Sequence, residues 1–219
     1  MSPCIDRVAL LSPAYFAPIQ WFQKLNRYKL VLIESHDNYV KQTYRNRCII
    51  ATEGGMQALT VPVVHAPKGE KGGAGGMGVR VSDHGEWRHL HWNALATAYG
   101  DSPFWQYYAD DIRSIFEQKG MTLYGFDMDI TLKMCALLDI MPNIATTDHY
   151  FTAADVASGI HGMPIDDYRD LIRPKHPPID ESFKPTPYYQ VFADRHGFLP
   201  NLTILDLLLN MGNEALLYL

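Results

Sequence analysis

The stretch 38–50 reads Asn-Tyr-Val-Lys-Gln-Thr-Tyr-Arg-Asn-Arg-Cys-Ile-Ile and lies between two apolar runs, Leu30–Glu34 and Ala58–Val63. It gathers Tyr39, Lys41, Tyr44, Arg45, Asn46 and Arg47 where the chain otherwise reads as buried strand. Arginine presents a planar fork of donors that fits carboxylate or phosphate, and asparagine and tyrosine add neutral donors and acceptors beside it. The chemistry expected is recognition of a polar, negatively charged small molecule. Arg47 and Arg80 would hold its anionic part, and Asn46 and Tyr44 would orient a hydroxyl. The same composition also suits a solvated hairpin. His91 is the candidate general base, on the inward face of a helical pattern shared with Trp87, Ala94 and Ala98. Its alternative role is a satisfied core histidine, since no carboxylate partner is identifiable from spacing. Cys48, beside Arg47, is either a nucleophile or an inert core thiol.

These residues need elements to position them. Val8–Leu11 is a short apolar run, Ala17-Pro18 opens a segment with Ile19, Phe22 and Leu25 on one face, and Leu30–Ile33 is a second β-branched run. A strand-helix-strand unit of this kind gives two parallel strands joined by a right-handed crossover. Ligands of open α/β sheets bind at the carboxyl ends of the strands. That position adds Tyr15, Gln20 and Glu34 to the substrate-binding candidates, although an aromatic such as Tyr15 also suits a core cap. The fold class expected is α/β, an open and mostly parallel sheet begun by this unit. A hairpin turning at Glu53-Gly54-Gly55 follows, then packing helices over Trp87–Tyr99, from Ser102 to Gly120 and over Asp127–Leu138. Residues 1–219 are expected to form one domain. Its proline-rich residues 145–187 read as an irregular surface connection, and its apolar tail 188–219 as docked, with Asn201 capping the last helix. Six glycines fall between Pro67 and Gly78, without the Gly-Lys-Ser/Thr ending of a phosphate loop. Gly69–Gly78 is expected to be a mobile surface loop.

Composition excludes several classes. With 219 residues, 47% hydrophobic and 20% charged, the chain can bury a sizeable core and is too apolar for disorder. A net charge of -5 and a pI near 5.9 argue against a nucleic-acid partner. No run is long enough to span a membrane, and the start lacks a secretory pattern. Three scattered cysteines suit a reducing compartment, so a cytoplasmic location is expected. The nine histidines form no metal-site spacing, and the cofactor and the oligomeric state stay open.

The order Tyr15-Phe16-x-Pro18, Tyr44-x-Asn46-Arg47, Leu59-Thr-Val-Pro-Val63, Trp87-Arg88-x-x-His91-Trp92, Ala98-Tyr99 and Ser102-Pro103-Phe104 runs along the chain. With the tail Gly197-Phe-x-Pro-Asn201-Leu-x-Ile-x-Asp206-Leu-Leu, it resembles WbqC-like proteins, found in bacterial surface-polysaccharide gene clusters. The resemblance implies a role in glycan biosynthesis, either as a group transferase on a nucleotide-linked or glycan precursor or as a non-catalytic binding protein of the same pathway. Tyr99 joins the substrate-binding candidates on this ground. The opening unit is also similar to doubly wound nucleotidyltransferases. Ile19-Gln20-Trp21-Phe22 stands where those enzymes carry an H-x-G-H pair, so adenylyl transfer is not implied.

Overall fold

In a computed structural model, which describes residues 4–64 and 78–219, the opening unit forms as its pattern requires. β1 (Ile5–Leu11) leads through α1 (Ile19–Arg27) to β2 (Tyr28–Ile33), and the two strands pair in parallel. Pro18 caps α1, where its missing N–H costs nothing, and the helix buries Ile19, Trp21, Phe22 and Leu25. A 3₁₀ turn over Tyr44–Asn46 then enters the hairpin of β3 (Arg47–Thr52) and β4 (Gly55–Thr60), turning at Glu53-Gly54 with Gly55 at φ 101°. Short strands β5 (Val63–Val64) and β6 (Arg80–Val81) pair antiparallel. The helices α2 (Trp87–Tyr99), α3 (Trp105–Ile115) and α4 (Leu123–Leu137) follow. α4 starts four residues earlier than its apolar stripe suggests, because the Thr122 side chain accepts from the Gly125 N–H and caps it.

The segment 145–187 departs from the expected irregular connection. It supplies β7 (Ile144–Thr146), α5 (Ala153–Ser158) and β8 (Ile165–Asp167), joined by short loops, and the residues after β8 lack regular structure up to 187. Strands of three residues are too short to show periodicity among prolines and polar residues, yet these two flank the central sheet. That sheet is four-stranded and wholly parallel, in the order β7-β2-β1-β8. Counted along the chain its strands stand third, second, first, fourth, the opening order of doubly wound nucleotide-binding sheets. The strands end level, with Leu11 opposite Ile33 and Ile33 opposite Thr146.

The tail carries α6 (Ala193–His196), α7 (Ile204–Met211) and a terminal 3₁₀ segment (Gly212–Tyr218). Thr203 stands at the N-cap of α7 in place of the expected Asn201, which has a positive φ of 53°. α7 buries Ile204 to Asn210 and shares one hydrophobic cluster with β1, α1, β3, α2 and α4. Of the expected glycine loop, only Gly78 falls within the described residues.

Candidate functional site

The chain leaves β1 through Ser12-Pro13-Ala14 and leaves β8 through Tyr168-Arg169-Asp170. Between these two strands the strand order reverses, and a crevice opens there in sheets of this kind. Both loops line a cavity of about 310 Å³, closed on the other side by residues 40–45. A second cavity of about 470 Å³ shares Tyr44, Arg173 and Lys175 with the first, so the two form one cleft astride a common ridge.

Lys41, Arg45, Arg47, Arg169, Arg173 and Lys175 line this cleft, against the carboxylates Asp37 and Asp170. In a chain of net charge -5 this is a local excess of cations. Not all of them are available. The buried Arg45 guanidinium donates to Asp37, to the Asn38 carbonyl and to Ser12 Oγ, so its fork shapes the cleft wall. Arg169 pairs with Asp167 and with the buried Glu34, 3.0 Å away. Arg47, half-buried, uses its Nε on Thr60 Oγ1 at 3.1 Å, and Arg173 uses its Nε on the His176 carbonyl at 3.0 Å. Among the described residues, no carboxylate pairs with Lys41, Arg47, Arg173 or Lys175.

The residues expected from the sequence divide between this cleft and the interior. Tyr44 and Arg47 line the cleft, and burial pushes the Tyr44 hydroxyl up to about 12, so it stays a neutral donor. Tyr15 and His91 meet each other instead, with Tyr15 Oη 2.9 Å from His91 Nδ1 inside a cluster of Trp87, Phe116 and Phe126. Burial pulls His91 down to about 4, against a hydrogen bond with the Thr60 backbone, so the ring is neutral at pH 7. Asn46 is buried and donates to the Val61 carbonyl at 2.9 Å, which ties the turn to the strand leaving the hairpin. Gln20 is spent on Asp180 and Asn201, Tyr99 Oη accepts from the Ala51 N–H, and Arg80 donates to the Gly120 carbonyl. Glu34 lies under the cleft as a tie between loops. Cys48 is fully buried and its thiol is raised by burial, which leaves it unreactive.

Arg169, Arg173 and Lys175 were missed by the sequence reading, although three cations within residues 169–175 were a visible signal. Asp127 was also missed. It is fully buried on α4, neither oxygen has a hydrogen-bond partner among the described residues, and burial raises its pKa well above the carboxylate range. Among the described residues, no group of His, Cys, Asp and Glu could hold a metal ion, and no helix is long and apolar enough to cross a membrane.

An uncharacterised protein of Mycobacterium tuberculosis, Rv1507c, is similar to this chain, at 26% identity over 237 residues covering 98% of each. No solved structure matches. The model of the WbqC-like protein family matches residues 12–162, which begin at the loop after β1 and include the cleft wall over 37–45. This match covers more than half of the chain, which therefore belongs to the WbqC-like protein family.

Proposed function

We propose that this protein is a group transferase or accessory enzyme of bacterial surface-polysaccharide biosynthesis that binds an anionic nucleotide-linked or glycan precursor in the cleft at the carboxyl edge of its sheet. Membership of the WbqC-like family suggests the polysaccharide setting. The observation that carries the ligand class is the set of cations without carboxylate partners among the described residues, Lys41, Arg47, Arg173 and Lys175, that line the cleft opening where the strand order reverses. Guanidinium forks bind phosphate or carboxylate bidentately, and Tyr44 between the two cavities offers a neutral hydroxyl to a sugar.

A non-catalytic binding role is favoured by one observation: His91, the expected base, is buried behind the Tyr15 hydroxyl and lines neither cavity of the cleft. Turnover through His91 requires that pair to open.

The test is thermal melting of the purified protein with nucleotide sugars, free nucleotides and acyl-CoA thioesters, since a ligand of the folded state raises Tm by mass action. A nucleotide sugar is expected to raise Tm in a saturable way. Arg47→Lys and Arg173→Ala should each weaken that binding by about one to two decades, as expected for a bidentate charge-assisted contact of about 1.5–3 kcal/mol. No shift with any of the three classes, or equal shifts in both variants, rejects the cleft as an anion site. Release of nucleoside diphosphate on mixing with a glycan acceptor separates the transferase from the binding protein, and its persistence in His91→Gln would assign His91 to the core.

A further inference from the structure

A third cavity, of about 820 Å³, lies between the start of α3 and the end of α7 and shares no residue with the cationic cleft. Its wall is aromatic: Phe104, Tyr107, Tyr108 and Tyr189 all contribute. Tyr107 is 76% exposed and Tyr189 56% exposed, a large amount of ring surface for two residues to offer to water. The chain that carries the rings is anchored. Phe104 donates its N–H to the Leu209 carbonyl at 3.1 Å, and Tyr188, beside Tyr189, is anchored by donating to the buried Asp206. Gly212 has φ +55°, and a Cβ there would come within 2.5 Å of the Phe104 ring, so only glycine lets that ring lie against the end of α7.

Two of the polar groups of this wall are carboxamides. Asn213 Oδ1 accepts from Tyr108 Oη at 3.3 Å. Asn210 is 3% exposed, donates Nδ2 to the Asp206 carbonyl, and keeps its Oδ1 buried without a partner among the described residues. A buried acceptor without a partner is a group that a ligand donor would satisfy. Among the described residues no cation lines the cavity, and Glu214 is its one charged residue. An anion therefore finds nothing here, in contrast to the cleft.

We propose that this cavity binds a neutral saccharide of two or three rings, the C–H faces of the sugars packing on Tyr107 and Tyr189 and their hydroxyls meeting Asn210, Asn213 and Glu214. Tyrosine supplies rigid amphipathic surface suited to a ligand that is apolar on one face and hydroxylated at its rim. The volume falls in the range of small-molecule sites and is far larger than a cage around a single ammonium group. The inference extends the proposed function by giving an uncharged glycan a place apart from the anionic ligand, and rests on that reading only for the pairing of the two.

The experiment is saturation-transfer NMR on the full chain with maltotriose, cellotriose and N,N′,N″-triacetylchitotriose, for the wild type, the Tyr107→Ala/Tyr189→Ala double variant and the cleft variant Arg173→Ala. Transfer to the ring protons of at least one trisaccharide is expected. The double variant should weaken that binding about tenfold or more at an unchanged Tm, because both tyrosines are exposed, and Arg173→Ala should leave it unaltered. Absence of transfer from all three sugars overturns the proposal. Equal binding in the double variant, or occupation by tetramethylammonium in place of sugar, overturns it as well. The nucleotide-sugar melting shift reads the cleft alone, so failure at either site is told apart from failure at the other.

Discussion

At the scale of single residues, neighbours in the sequence take opposite roles. Arg45 and Arg47 stand two positions apart, yet Arg45 is consumed by Asp37 and the Asn38 carbonyl, while Arg47 stays half-buried in the cleft with Thr60 as its polar contact. The 3₁₀ turn at Tyr44–Asn46 separates them by ending at the first residue of β3. His91 shows the same dependence on surroundings. Burial depresses its pKa from 6.5 to about 4, so in the folded state it is neutral over a range where the unfolded chain binds a proton. Its contribution to stability is full above pH 6.5 and is lost as pH falls toward 4. A shift of this size corresponds to up to about 3 kcal/mol. Asp127 and Asp206 act in the opposite sense, since burial raises both, Asp206 to about 6, and they favour folding on acidification. The measurable quantity is therefore a difference. The stability of the wild type relative to His91→Gln should fall by that amount between pH 6.5 and 4 in urea titrations. A constant difference across the range would contradict the assignment of a neutral buried imidazole.

At the scale of elements, the carboxyl edge of the sheet is held together by Glu34. Its Oε1 accepts from the His36 N–H and from Thr147 Oγ1, each at 2.9 Å, and its Oε2 accepts from the Phe151 N–H and from Arg169 at 3.0 Å. One carboxylate thus joins the loops that follow β2, β7 and β8. Glu34→Gln keeps the shape but sets an NH₂ group against donors and removes the charge facing Arg169. A loss of about 3 kcal/mol follows, roughly 6–12 °C in Tm for a chain of this length. Thermal melting checks it, and a change below about 1 kcal/mol rejects the tie. This element-level logic sets what the sequence could show. β1, α1 and β2 were legible because each is long enough for its periodicity to appear, and Glu34 was placed correctly at a strand end though in the role of ligand. β7 and β8 were hidden because three-residue strands are stabilised by their neighbours in the sheet and carry no pattern of their own. Without β8 there was no way to locate the point of reversal, so Arg169, Arg173 and Lys175 stayed outside the expected site while the buried Gln20 and Tyr99 entered it.

At the scale of the whole molecule, the cleft depends on a segment without regular structure being fastened to a helix far away in sequence. The chain after β8 returns across α1, where Lys24 Nζ lies 2.6 Å from Asp180 and 2.7 Å from Ser182 Oγ, and Gln20 Nε2 donates to the same carboxylate at 2.9 Å. Lys24 is 2% exposed and also stands 4.8 Å over the Tyr168 ring. Burial lowers its pKa, partly offset by Asp180. For Asp180 burial acts upward, but the hydrogen bonds from Lys24, Ser182 and Gln20 outweigh it and hold the carboxyl below its usual range. Arg173 and Lys175 lie between β8 and this clamp, so the clamp sets where two of the cleft's cations stand. Removing one partner of a buried pair leaves a desolvated charge, which costs about 3–5 kcal/mol, whereas removing both can be nearly neutral. Lys24→Met should therefore destabilise the fold by about that amount, and Lys24→Met/Asp180→Leu should recover a substantial part of it. In the single variant the freed segment should also be cut faster by trypsin after Lys175 and should bind nucleotide sugar more weakly. Melting, proteolysis and binding measured on the same two variants make one test. Unchanged stability and cleavage in Lys24→Met would show that the segment holds its place by other contacts and that the cleft does not depend on the clamp.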